Sequence, residues 1–78
     1  MVALCDRFLG REISLRALVD GLEGLLNAGS FDDQSLRKRW YELWTPLEVR
    51  NAMGEADWSL GAKEETEALR SFLREVQE

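Results

Sequence analysis

Residues 36–53, LRKRWYELWTPLEVRNAM, decide the fold of this chain because their apolar positions change sides near Pro46. Successive residues of an α-helix lie about 100° apart, and this spacing sorts the side chains into two stripes on nearly opposite sides. The first stripe comprises Leu36, Trp40, Leu43, Trp44 and Leu47. The second comprises Val49, Ala52, Met53 and Ala56. One straight helix cannot bury both stripes, so either the helix bends at Pro46 or the second stripe stays exposed for a partner.

The residues around Pro46 favour an interruption of the helix. Thr45, Pro46 and Glu48 match a helix start, with threonine at the N-cap, proline at the first helical position and glutamate three residues after the cap. A proline inside a continuous helix would remove a backbone hydrogen bond and clash with the preceding turn, at a cost of about 3 kcal/mol. We therefore predict that the third helix bends or restarts at Pro46.

Two helices are predicted before this stretch. The first is barely two turns long and ends at Gly10, where a left-handed residue is expected. Ser14 offers an N-cap to the second helix, which runs to about Ala28 and stops at Gly29. Cys5 lies on the first helix, and as a lone cysteine it predicts a small buried apolar side chain rather than a disulfide.

The second helix has a broad core stripe and a separate stripe of small residues. Its core stripe comprises Leu15, Leu18, Val19, Leu22, Leu25 and Leu26. Its small stripe comprises Ala17, Gly21, Gly24 and Ala28. Small side chains let a second helix approach closely, so the small stripe predicts a groove for a neighbouring helix of this chain or of a second subunit.

The third and fourth helices complete the predicted fold. Asp32 or Asp33 caps the third helix, and the fourth runs from about Ala62 to Val76. Its core stripe comprises Ala62, Thr66, Leu69, Phe72, Leu73 and Val76. No segment has the alternation of a strand. We predict that residues 1–78 form one domain, an all-α antiparallel bundle of four principal helices.

The charge of the chain bears on what it binds. The formal net charge is −5, and residues 54–78 carry seven acidic but only three basic side chains. An acidic field repels phosphate and attracts basic partners, so nucleic-acid binding is not expected. The basic run 37–39 has spacings for helical ion pairs, such as Lys38 with Glu42. No apolar run is long enough to span a bilayer and no signal peptide is evident, so a cytoplasmic protein without membrane contact is expected.

The sequence offers no catalytic chemistry. It has no histidine, which removes the commonest general base and metal ligand near neutral pH. The single cysteine has no partner for catalysis, and the glycines do not form a loop that could cradle phosphate. We therefore expect a protein that is not an enzyme, with no catalytic, cofactor or metal site.

The aromatic residues of the third helix divide between core and surface. Trp40 and Trp44 lie one turn apart on the first stripe and are expected in the core. Tyr41 points away from them and is expected at the surface with Val49 and Met53. An apolar surface of this kind is typical of a protein-binding site. These three residues are predicted to contact a partner.

The string 8–15, FLGREISL, followed by Leu18 and a leucine-rich helix, resembles the opening of small bacterial helical proteins that include colicin-D-type immunity proteins. The tract 44–52 is similar to a pattern in uncharacterised members of such groups, although this chain has Pro46 within it. The resemblance implies a four-helix protein that inhibits a basic toxin nuclease by presenting acidic groups. The implied contacts are Asp57, Glu64, Glu65 and Glu67.

Two alternatives stay open beside this resemblance. The glutamates 64, 65 and 67 also suit the positive end of the dipole of the fourth helix, which requires no partner. The protein could instead be a structural homodimer, which would pair through the Val49, Ala52 and Met53 face or through the small stripe of the second helix. A protein partner is expected in both cases.

Overall fold

The computed structural model describes residues 1–29, 33–54 and 58–77, which form four α-helices and no strand. The helices are α1 (Val2–Leu9), α2 (Leu15–Asn27), α3 (Gln34–Ala52) and α4 (Leu60–Gln77). Each helix packs on its neighbours in the chain, and α1 also packs on α4, so the four helices close a ring. The predicted all-α four-helix bundle is confirmed.

All four helices contribute to one apolar core. The buried apolar residues are Cys5, Phe8, Leu15, Leu18, Val19, Leu22, Leu26, Trp40, Trp44, Leu47, Ala62, Leu69 and Leu73. Full burial of a large apolar side chain is worth about 1.5–3 kcal/mol before conformational entropy is subtracted. The core stripes predicted for α2 and α4 are largely confirmed. Leu25 is the exception, because it is 39% exposed.

The turn between α1 and α2 differs from the prediction. Gly10 follows α1 with φ −81°, so it is not left-handed. Arg11 takes the left-handed conformation instead, with φ 61°. Ser14 caps α2 as predicted, since its Oγ accepts a hydrogen bond of 3.1 Å from the backbone N–H of Ala17.

The small stripe of α2 forms only part of the predicted groove. A Cβ added to Gly21 would lie 3.0 Å from Leu4 Cδ1, so α1 does approach closely at this point. A Cβ added to Gly24 would meet nothing within 4 Å among the described residues. Ala17 and Ala28 are exposed. The prediction of a continuous groove for a helix of this chain is therefore wrong beyond Gly21.

The start of α3 agrees with the prediction. Asp33 Oδ1 accepts hydrogen bonds from the backbone N–H groups of Ser35, at 2.7 Å, and Leu36, at 3.2 Å. Asp33 is therefore the N-cap that the sequence offered. The alternative cap, Asp32, lies outside the described residues.

The helix α3 runs without interruption through Pro46. Thr45 does not cap a new helix, because its hydroxyl donates a 2.6 Å hydrogen bond to the backbone carbonyl of Tyr41, one turn earlier. The predicted restart at Pro46 is therefore wrong. Leu47 belongs to the first stripe and is fully buried, so the helix keeps its phase beyond the proline.

The described residues of the second stripe of α3 remain on the outside of the bundle, and its last member, Ala56, lies outside the described residues. Val49, Ala52 and Met53 are exposed, whereas Trp40 and Trp44 on the first stripe are buried. The helix therefore does not bend so as to bury both stripes in one core. Of the two arrangements open to the sequence, the structure has the exposed second stripe.

Helix α4 begins two residues earlier than predicted, at Leu60. The Oγ of Ser59 accepts a 3.2 Å hydrogen bond from the backbone N–H of Ala62 and so satisfies one donor of the first turn. Before this turn, Trp58 packs against the core. The guanidinium carbon of Arg11 lies 4.0 Å from the centre of a Trp58 ring, which links the turn after α1 to the start of α4.

Candidate protein-binding surface

Five residues on the outer side of α3 form one continuous, largely apolar surface. They are Tyr41, Thr45, Pro46, Val49 and Met53, and we call them the α3 surface. Side chains four residues apart lie above one another on a helix, which is why these positions adjoin. The exposed fractions are 80% for Met53, 47% for Val49 and 39% for Tyr41. Adjacent exposed apolar side chains are more informative than scattered ones, because an extended patch is a mark of an interaction site.

The α3 surface borders two shallow grooves that meet at Thr45 and Pro46. The first groove has a volume of about 580 Å³ and is lined by Thr45, Pro46, Val49, Arg50, Met53 and Glu65. The second has a volume of about 540 Å³ and is lined by Lys38, Tyr41, Glu42, Thr45 and Pro46. Because they share two lining residues, the grooves form one trough along α3.

The ring of Tyr41 is held in place by the tryptophans of the core. Its centroid lies 5.2 Å from that of Trp40 and 5.9 Å from that of Trp44, with both pairs edge to face. Trp40 and Trp44 stack on each other with centroids 5.4 Å apart. The indole N–H of Trp44 donates a 3.3 Å hydrogen bond to the backbone carbonyl of Val19. Tyr41 therefore rests on a fixed base, which lowers the entropy cost of contact with a partner.

An ion pair between two helices forms the polar wall of the first groove. Arg50 of α3 pairs with Glu65 of α4, and both side chains are about one third exposed, at 32% and 27%. The guanidinium of Arg50 lies against Gly61, where an added Cβ would overlap it. Sequence reasoning did not identify Arg50 or Gly61, because nothing in their local pattern indicates a contact between α3 and α4.

Pro46 changes the backbone in the middle of the trough. Proline has no N–H, so the carbonyl of Glu42 cannot accept the helical hydrogen bond that residue 46 would otherwise donate. Glu42 and Pro46 both line the second groove. The proline therefore leaves the Glu42 carbonyl without its usual helical donor.

The acidic side chains that line the trough, Glu42 and Glu65, are engaged in ion pairs within the bundle. Glu42 pairs with Arg39 at 3.1 Å rather than with the predicted Lys38. Glu67 pairs with Lys63 at 3.5 Å. Glu64 is exposed on α4 and does not line either groove.

The predicted partner-binding residues fall into separate groups. Tyr41, Val49 and Met53 lie together on the α3 surface, and Glu65 lies at its edge. Glu64 and Glu67 are on the exposed side of α4. The last predicted residue, Asp57, lies outside the described residues. The apolar part of the predicted site is thus contiguous, while the acidic part is spread along α4.

The one thiol of the chain does not form part of a surface site. Cys5 is fully buried in the core. Burial raises the pKa of the Cys5 thiol from its ordinary value of 9.0 to about 11, because the thiolate would lose its hydration. A thiol must ionise to act as a nucleophile, so Cys5 is inert near neutral pH.

Metal-binding clusters and membrane-spanning helices are both absent from the residues that the structure describes. Residues 1–29, 33–54 and 58–77 hold no group of three histidine, cysteine or acidic side chains placed to bind a metal ion. Within the same segments, no helix combines the length and apolar character needed to cross a bilayer.

Comparison with known proteins leaves the sequence resemblance as a prediction. A scan against protein-family models, a search of the curated proteins and a search of the solved structures each found no match. The similarity to colicin-D-type immunity proteins therefore rests on the residues quoted above.

Proposed function

We propose that this protein is a non-catalytic binding module whose α3 surface contacts another protein. The observation that carries the proposal is the exposure of Tyr41, Val49 and Met53 side by side over one trough. Apolar side chains that face water do not stabilise the bundle. When a partner covers them, their removal from water contributes favourably to the free energy of binding.

The overall charge supports a basic partner. The chain carries a net charge of −5, and the acidic excess lies in residues 54–78 of the sequence. Complementary charge speeds association and excludes partners of like charge. We propose inhibition of a basic toxin in the cytoplasm as the specific function, in keeping with the resemblance to immunity proteins.

Site-specific cross-linking tests the proposal in cells that produce the protein. A photoreactive benzophenone amino acid replaces Val49 in the trough or, as a matched control, Ala17, which is exposed on α2. We expect a covalent adduct with a basic protein at position 49 and none at position 17. Absence of an adduct at position 49, or equal adducts at both positions, would contradict the proposal.

The mass of the adduct separates a partner protein from the homodimer alternative. An adduct of twice the mass of the chain would show that the α3 surface pairs with its own copy. Sedimentation of the purified protein then provides the check, since a dimer through this surface should dissociate in Met53→Asp. The net charge of −5 opposes self-association, because two copies would repel each other.

A further inference from the structure

We infer that α1 and the turn after it, residues 2–12, unfold locally as one unit while α2, α3 and α4 stay folded. In this arrangement α1 is a lid over the part of the core where it packs on α2 and α4. Its opening uncovers apolar side chains that the closed bundle buries. The inference does not depend on the proposed binding function, because it involves no residue of the α3 surface.

The helix α1 has little stability of its own. It has eight residues, and a helix shorter than about 12 residues is marginal in water. Met1 occupies its N-cap without a side-chain hydrogen bond. Side-chain oxygens cap the other three described helices, from Ser14, Asp33 and Ser59. Because a helix of two turns has few internal bonds, the loss of one turn removes the support of the other.

The turn after α1 places an arginine where glycine is usual. The backbone N–H of Arg11 donates a 2.9 Å hydrogen bond to the carbonyl of Phe8. The N–H of Glu12 donates one of 2.8 Å to the carbonyl of Arg7. These two bonds form a Schellman motif, whose left-handed position is usually glycine. Arg11 holds that position with φ 61°, one residue after Gly10. A side chain in this conformation raises the free energy of the closed turn, which favours opening.

The polar contacts that hold residues 2–12 to the region of α4 are open to water. Asp6 pairs with Arg70, and their side chains are 50% and 31% exposed. The guanidinium of Arg11 lies 4.0 Å from a ring centre of Trp58, just before α4. Exposed ion pairs contribute little to stability, because water can replace each partner. The main cost of opening is therefore the lost burial of the apolar side chains of α1.

The other three helices keep contacts that do not involve α1. Helix α3 packs on both α2 and α4. The indole N–H of Trp44 bonds to the carbonyl of Val19 on α2, and Arg50 pairs with Glu65 on α4. These contacts persist when α1 opens, so its opening is an event separate from the unfolding of the whole bundle.

Hydrogen exchange of backbone amides, followed by NMR on the full chain, tests the inference. We expect the amides of Arg7 and Phe8 to share one free energy of opening. After correction for intrinsic rates, they should exchange more than about tenfold faster than those of Trp44 and Leu47 on α3. Urea below the unfolding transition should change the α1 rates only slightly, because local opening exposes little surface.

Two results would overturn the inference. Equal protection of α1 and α3, with the same dependence on urea, would show that α1 opens only when the whole bundle unfolds. Protection that rises steadily along α1 from Met1 would show that the helix frays from its end and does not open as a unit.

A pair of variants separates local opening from global unfolding. Leu47→Val weakens the core of α3 in the closed and the opened forms alike, so it should speed exchange in α3 on the order of fivefold and leave α1 unchanged. Asp6→Asn removes the ion pair of the closed form and should speed exchange in both helices by roughly two- to fivefold. Acceleration of α1 by Leu47→Val to the same extent as α3 would contradict a separate opening.

Two substitutions at one position test the role of the turn. Arg11→Ala and Arg11→Gly both remove the contact with Trp58, but only glycine also removes the penalty of the left-handed conformation. We expect exchange in α1 to be on the order of fivefold slower in Arg11→Gly than in Arg11→Ala. Equal rates in the two variants would overturn the assignment of Arg11 as a residue that favours opening.

Discussion

The inner and outer sides of α3 differ in what their apolar residues contact. On the inner side, Trp40, Trp44 and Leu47 are buried against residues of the other helices. On the outer side, Val49 and Met53 face solvent over an open groove. One helix thus carries buried apolar residues on one side and, on the other, exposed apolar residues that we propose contact a partner. Substitutions on the two sides should therefore separate stability from binding.

The largest expected difference in the free energy of unfolding is between substitutions at two nearby aliphatic residues of α3. Leu47→Ala leaves a cavity in the core and should lower the free energy of unfolding by about 2–5 kcal/mol. Val49→Ala should lower it by less than about 1 kcal/mol, because its side chain is half exposed. Urea denaturation followed by circular dichroism measures both. If Leu47→Ala does not fold, the smaller change Leu47→Val should still lower the free energy of unfolding by more than Val49→Ala does.

The next test concerns the proline on the outer side. Pro46→Ala should raise the free energy of unfolding by up to about 3 kcal/mol, since alanine restores a helical hydrogen bond and removes a steric clash. Glu48→Ala, at an exposed position of the same helix, is the control and should change stability by less than about 0.5 kcal/mol. A loss of stability in Pro46→Ala would show that the proline ring packs as part of the core.

The pH dependence of stability tests how well the core excludes water, because the core contains the Cys5 thiol as well as the inner side of α3. The Cys5 thiol ionises near 9.0 in the unfolded chain but only near 11 in the folded protein. The folded state therefore keeps a proton that the unfolded state has lost, and its stability falls as the pH rises from 9.0 to 11. Two pH units correspond to a loss of about 3 kcal/mol.

The variant Cys5→Ala isolates this contribution from other groups that titrate at alkaline pH. Denaturation curves at several pH values should show a steeper loss of stability in the wild-type chain than in Cys5→Ala over the same interval. Parallel slopes for the two proteins would mean that the thiol is accessible to water. Thiol-specific reagents should agree, with modification at neutral pH only after unfolding.

The smallest expected change in stability lies at the most exposed apolar residue. Met53→Asp should alter the free energy of unfolding by less than about 0.5 kcal/mol, because its side chain is 80% exposed. The same substitution should weaken the cross-link between position 49 and the partner, because a charge replaces an apolar contact of the α3 surface. A large loss of stability would contradict the separation of the two sides.

Much of the fold follows from local sequence patterns. The side-chain oxygens of Ser14 and Asp33 cap their helices as the sequence predicted, because a cap depends on residues only two or three positions away. The buried stripe of α4 was also predictable, since helical periodicity alone places Ala62, Leu69 and Leu73 on one side.

The errors arise where contacts between helices outweigh local preferences. The pattern around Pro46 suits a new helix, but a restart would change the phase of the residues that follow. Continuity keeps Leu47 in the core, a gain of about 1.5–3 kcal/mol that offsets much of the cost of an interior proline. The left-handed conformation was predicted at Gly10 but is found at Arg11. The side chain of Arg11 contacts the ring of Trp58, which precedes α4.

Part of the candidate site could be predicted and part could not. The exposure of Tyr41, Val49 and Met53 followed from their angular positions on one helix. The polar wall formed by Arg50, Glu65 and Gly61 did not, because it depends on how α3 and α4 are packed. Sequence periodicity describes each helix by itself, whereas this wall belongs to a pair of helices.

The contact between the first and the last helix determines when folding can be completed during synthesis. Helix α1 packs against α4, and Asp6 of α1 pairs with Arg70 of α4 across most of the described chain. The ribosome makes α1 first and α4 last among the four helices. With only eight residues, α1 is too short to be stable alone. The burial of Cys5 and Phe8 on α1 is therefore complete only after α4, the last of the four helices, has been made.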